Sequence, residues 1–208
     1  MKREYLSSIS IDYKLNTDKE LGEGDLEFYI NGKNLCSYKK DGNLKSYSWN
    51  LFCVVTWMCE NIEYIIGYDP FPLPVKGDTS LELISEADQF ESEDIIEEYL
   101  WYSAKSTWIF KHNWFSCRES SILPQVYFRR IGNDIEICWD NDFWQESGIE
   151  FQMTKGSVRI ENDKFIKTIT EFIRSFLTKA SELTNDEEQQ IKIENLSRQL
   201  QLIESDKI

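Results

Sequence analysis

Residues 108–140 read WIFKHNWFSCRESSILPQVYFRRIGNDIEICWD, and how this stretch is read decides the fold. Gly132-Asn133 separates two apolar runs rich in β-branched and aromatic residues, 126–130 and 135–139, which predicts a hairpin with a two-residue turn. The register follows from that turn. Arg130 opposes Ile135, Arg129 opposes Glu136, Phe128 opposes Ile137 and Val126 opposes Trp139. Alternation sends Val126, Phe128, Ile135, Ile137 and Trp139 to the core. It sends Tyr127, Arg129, Glu136 and Cys138 to the other face, free for presentation to a partner.

Upstream, 93–117 reads as one long helix with two stripes. One holds Ile96, Tyr99, Leu100, Ser103, Thr107, Phe110 and Trp114. Its neighbour holds Trp101, Lys105, Trp108, His112, Phe115 and Glu119, so His112 shares a face with two tryptophans. Before it, residues 78–98 carry nine acids and no Lys or Arg. This reads as a solvated linker entering a helix N-terminus, where acid suits the dipole. Residues 68–75 (YDPFPLPV) hold three prolines at alternate positions and form an extended strap over the core. Residues 46–66, capped by Ser46 or Ser48, are apolar nearly all round and predict a buried central helix. The first segment, 3–38, is β-like: 8–15 alternates, 26–30 is a second strand before Asn31-Gly32, and 35–38 is a possible return strand.

Downstream, 149–153 and 157–160 predict a hairpin turning at Lys155-Gly156. Asn162 or Asp163 caps an amphipathic helix carrying Phe165, Ile166, Ile169, Phe172, Ile173, Phe176, Leu177 and Ala180. In the tail, Ile193, Leu196, Leu200 and Ile203 form a three-four-three seam that docks back or pairs with another helix. The expected fold is α+β: one domain over 1–180, an antiparallel sheet packed on helices at 46–66, 93–117 and 162–180, then a helical tail at 181–208.

Composition narrows function. The 208 residues are 41% hydrophobic and 14% aromatic, enough for one sizeable core. Net charge is −14 with no Lys/Arg cluster, which argues against a broad nucleic-acid-binding face. No apolar run approaches the roughly 20 residues of a membrane span, and the N-terminus MKREYLSSIS shows no apolar signal core. Five cysteines without a CxxC read as buried thiols in a reducing cytoplasm.

The residues that could carry chemistry cluster in 108–140, which contains the single histidine, three of seven tryptophans and Arg129-Arg130. His112 with Arg118, Arg129, Arg130 and Glu136 could bind phosphate or move protons, with Asp140 as a further carboxylate. A hydrolase or nuclease would use this group. The structural alternative is a packed histidine and a cross-strand Arg129–Glu136 pair worth roughly 0.2–1 kcal/mol. One histidine excludes HExxH, no P-loop or GxGxxG occurs, and no metal or cofactor site is expected. Trp101, Trp108 or Trp144 is expected to be partly exposed. Residues 78–98 could also mimic nucleic-acid phosphates.

The pattern W…KHNW…R…LPQVYFRRIGNDIEICWDN resembles the segment that precedes the peptidase domain in some bacterial ImmA/IrrE-type proteins. The resemblance covers 71–177, and the chain ends where the peptidase would begin. It implies the accessory half without the catalyst, a recognition or regulatory part of a defence or mobile-element system. It transfers no functional residue. The expected function is therefore a non-catalytic cytoplasmic interaction module. Its partner is a protein, basic or held through the C-terminal helix, and its binding residues are His112, Tyr127, Arg129, Glu136, Trp108 and Trp144. No catalytic residue is assigned.

Overall fold

The computed structural model describes residues 7–205, and the β-like reading of 3–6 and the last three tail residues lie outside that range. The fold is α+β, built from three small antiparallel sheets and five helices among the described residues. In the first sheet, β1 (Ile9–Leu15) pairs with β2 (Glu23–Ile30). The other edge of β2 is shared by β3 (Lys33–Asn34) and, further on in the chain, β6 (Tyr47–Asn50).

The strand β6 corrects the expected helix start at Ser46 or Ser48. Ser46 Oγ donates to the Leu26 carbonyl at 3.2 Å instead of capping a helix. Tyr47 is fully buried. The helix α1 begins at Phe52, whose N–H is taken by Asn50 Oδ1 at 3.0 Å, and runs Phe52–Ile66. Sheet pairing here outweighs the capping preference of serine. As expected, α1 is the central core helix: nine of its fifteen residues are buried.

Two short strands, β4 (Tyr38–Lys40) and β5 (Asn43–Lys45), form a hairpin with Gly42 at φ 75°. After α1 come α2 (Ser80–Ala87) and α3 (Ile95–His112), then a short 3-10 turn at Trp114–Cys117. The long helix thus stops five residues before the expected end. Asn113 is extended, and its Oδ1 accepts from Phe115 N–H at 2.9 Å to start the 3-10 turn.

The hairpin is β7 (Val126–Ile131) with β8 (Asp134–Asp140), and its register is the one expected from the Gly132-Asn133 turn. Gly132 has φ 63°. Next come β9 (Ile149–Phe151) and β10 (Lys155–Glu161), which do not pair with each other. The strand β9 joins β4, whereas β10 joins the free edge of β8. Gly156 is therefore a mid-strand residue opposite Trp139, not a turn. A Cβ at position 156 would lie 2.5 Å from the Trp139 ring, so the glycine is there for close approach.

The strand β10 runs directly into α4 (Asn162–Leu183), with Glu161 rather than Asn162 or Asp163 at the cap position. All eight apolar residues expected on its inner face are buried. Last, α5 (Glu187–Ser205) lays Ile193, Leu196 and Leu200 into the same core. The tail seam thus docks back on α4 and α1 and forms part of the single domain. The expected boundary at 180 falls inside α4. Among the described residues, no helix is long and apolar enough to cross a membrane.

Candidate interaction surface

The hairpin β7–β8 has a covered outer face, contrary to the expectation that it is open to a partner. Tyr127 and Cys138 are buried there in a second, smaller core with Trp108, flanked by Phe71, Leu81, Ile84 and Ile109. The cover is the segment 68–93. Its strap faces inward at Phe71, Leu73 and Val75, while Pro70, Pro72 and Pro74 point out. The Phe71 ring meets the Trp108 ring edge-on at 5.0 Å.

Glu136 explains why α2 sits on this face. Its Oε2 accepts from Ser80 N–H (3.1 Å), Ser80 Oγ (2.6 Å) and Arg129 Nε (3.0 Å). Arg129 also donates to the Asp78 carbonyl at 3.1 Å. Both side chains are nearly out of solvent. The pair is thus a buried device that holds the first turn of α2 against the sheet, and not the exposed cross-strand pair expected. Thr79 and Glu82 complete that helix end with a capping box.

His112 is fully buried with its ring stacked on Trp108, centroids 4.2 Å apart. Nδ1 lies 2.7 Å from the Phe128 carbonyl, which can only accept, so Nδ1 carries a proton. Nε2 lies 3.2 Å from Asp69 Oδ2 on the strap. Burial holds the His112 pKa below its ordinary value, opposed by the Phe128 carbonyl and by Asp69. Of the residues of the hydrolase reading, Arg129 and Glu136 bond to each other, whereas His112 and Asp140 are each held by separate partners. His112 has Phe128 and Asp69, Glu136 has Ser80 and Arg129, and Asp140 pairs with Lys155 at 2.7 Å.

Of the other expected binding residues, Trp108 is buried, with Nε1 donating to the Asp69 carbonyl at 3.2 Å. Trp144 is half-buried and stacked on Phe143, at the side of a third small core of Tyr38, Ile149 and Phe151. Trp101 is also half-buried and stacks on Phe90 at 4.0 Å. The acidic stretch 78–98 is folded rather than a linker. Glu82 and Asp94 cap α2 and α3, Asp88 pairs with Lys105, and Glu97 accepts from Ser92 Oγ.

What remains exposed is the more apolar stripe of α3. Ile95 is 81% exposed, Ile96 69%, Tyr99 70%, Leu100 60% and Phe110 62%. The face turned inward carries Lys105 and His112 together with Trp108. Their partners explain the inversion: Asp88 and Asp69 both belong to the 68–93 segment. That segment is tied to the same face by Trp101 Nε1 to the Ala87 carbonyl (2.9 Å) and Tyr102 OH to the Phe90 carbonyl (3.0 Å). Inward-facing polar groups of α3 hold the cover beside Trp108 and Ile109, and Ile95, Ile96 and Leu100 are left outside. Both stripes are legible in the sequence. Which one faces inward depends on Asp69 and Asp88, which lie 43 and 17 residues from their partners.

No curated protein and no solved structure matches the sequence. A family model spans residues 20–195, which takes in all the elements from β2 to the middle of α5, and the chain belongs to that family, DUF5984, a family of unknown function.

Proposed function

We propose that this chain is a non-catalytic protein-interaction module that docks a protein partner on the outward face of α3. One observation carries the reading: five large apolar side chains on one helix face are at least 60% exposed, while polar residues of the same helix are buried. Contiguous exposed apolar surface on a folded domain marks an interaction site more often than an accident of packing. A regulatory or accessory role, in a bacterial defence or mobile-element system and in the cytoplasm, belongs to the same proposal and is supported by the resemblance in the 108–141 stretch.

The test is site-specific photocross-linking in the native host. A photoreactive residue replaces Tyr99 in one strain and Asn133, in the exposed turn between β7 and β8, in another. The expected result is one discrete adduct from position 99 that position 133 does not give. Identical adduct patterns from the two positions, or none from position 99, would overturn the reading.

A further inference from the structure

The outward face of α3 has a spacing as well as an exposure. Ile96, Tyr99, Ser103, Ser106 and Phe110 follow one another at intervals of three, four, three and four. All five are exposed. This is the spacing with which one helix receives another, each large side chain settling between four residues of its neighbour. Small Ser103 and Ser106 at the middle allow close approach, and Ile96 with Tyr99 at one end and Phe110 at the other give anchors. The seam is about 21 Å long, the rise of fourteen helical residues.

The border of the seam is acidic at its N-terminal half. Glu91, Glu93, Asp94 and Glu97 are exposed and Glu98 is half-exposed. Glu97 and Glu98 lie further round the helix, more than 100° from the middle of the stripe by the roughly 100° turn per residue. No Lys or Arg occurs between Lys76 and Lys105, and Lys105 is buried against Asp88. At the far end Lys111 is held over the Tyr64 ring at 4.0 Å. A second copy of this chain would bring a further −14 to the contact. Charge complementarity favours the opposite sign.

We infer that the partner presents a basic amphipathic helix, with apolar residues at three-four spacing and Lys or Arg on its flanks, which packs along α3 from Ile96 to Phe110. This inference rests on the reading of α3 as a docking face. Cations at the end of the partner helix beside Ile96 meet Glu91 and Glu93, and long Lys or Arg side chains reach round the helix to Glu98. Its apolar seam covers Ile96, Tyr99, Leu100 and Phe110.

The probe is a fluorescent designed peptide of about 18 residues, long enough to lie along the whole seam, with leucines at three-four spacing and lysines elsewhere. A control peptide has the same composition in scrambled order. Binding to the full chain is read by anisotropy. The seam peptide is expected to bind about tenfold tighter than the scrambled one, and Ile96→Ser with Leu100→Ser to weaken it about tenfold. The pair Glu93→Gln and Glu98→Gln is expected to weaken it and to flatten its salt dependence. Circular dichroism and urea midpoints matching the parent establish that these surface variants are folded.

Equal binding of the two peptides, or no effect of the Ile96/Leu100 variant, overturns the inference. So does a light-scattering mass of twice 24.7 kDa that halves in that variant, since a second copy would then be the occupant. Adducts from position 99 that persist unchanged in the Glu93/Glu98 variant would leave the docking reading standing and remove the basic partner. Absence of adducts from position 99 in the chain with Glu93 and Glu98 intact would remove both, whereas their loss only in the Glu93/Glu98 variant is the expected result.

Discussion

Oε2 of Glu136 takes three hydrogen bonds, from both the amide and hydroxyl of Ser80 and from Arg129. Charge-assisted bonds to a nearly dry carboxylate are strong, and the cost of breaking them is larger still, because Arg129 would be left buried without its counter-charge. Glu136→Ala is therefore expected to lower unfolding free energy by about 3–5 kcal/mol, measured by urea titration. Ser80→Ala removes one donor and is expected to cost about 1.5–3 kcal/mol. The two losses are coupled, so the double variant should cost less than their sum. Strict additivity would mean that Glu136 does not act through Ser80.

His112 allows a prediction with a sign. Burial sets its folded pKa below the ordinary value of 6.5, so the folded state prefers neutral imidazole. A depressed value means that the unfolded chain binds the proton first as pH falls. The contribution of His112 is therefore present above about pH 6.5 and is lost on acidification through the folded pKa. The urea midpoint of the parent should fall more steeply than that of His112→Gln between about pH 7.5 and 5.5. A parallel fall in both would mean that folding leaves the His112 pKa unshifted, and a shallower fall in the parent would mean that the fold prefers imidazolium with Nε2–H donating to Asp69.

At the scale of elements, Gly156 shows both what the sequence can say and where it misleads. Lys155-Gly156 between two apolar runs has the look of a turn, yet it lies within β10 opposite Trp139. The glycine is needed because the indole occupies the space of a Cβ. Gly156→Ala is expected to displace Trp139 and to destabilise the β8–β10 pairing by about 1–3 kcal/mol, the usual cost of overpacking. Trp139 fluorescence and the urea midpoint check it together. A neutral or stabilised variant would mean that the ring moves aside freely. The other elements divide in a way that has a physical reason. The β7–β8 register, the inner face of α4, the strap and the burial of α1 were legible because each depends on local period and turn chemistry. The start of α1, the partners of β9 and β10 and the fold of 78–93 depend on contacts distant in sequence. The candidate surface was half legible. The Ile96–Phe110 stripe stands out by spacing, but His112 and Trp108, singled out as rare residues, and Tyr127 and Glu136, assigned to the outer face of the hairpin, are buried. Rare residues in this chain hold the cover in place.

At the scale of the whole molecule, one core runs from the first sheet through α1 to α4 and α5, and β7–β8 separates it from the smaller core beneath 68–93. Thiols sit in both. Cys36 and Cys59 belong to the large core and Cys138 to the small one, and burial pushes each up to about 12 from an ordinary 9.0. All five cysteines are free. Values raised on folding mean that the unfolded chain gives up these protons first. Their contribution to stability is therefore complete below about pH 9 and is lost as pH rises toward the folded values. The urea midpoint should hold near pH 8 and fall steadily above about pH 9, and Cys36→Ala with Cys138→Ala should flatten that slope even if it lowers the starting midpoint. A slope unchanged by the double substitution would place the alkaline loss on other groups. Because the two thiols lie in different cores, the single variants also report cooperativity. If the small core opens on its own, Cys138 should react with a thiol reagent at urea concentrations where Cys36 is still protected. Coincident reaction of the two would establish that the cover over β7–β8 unfolds only with the rest of the domain.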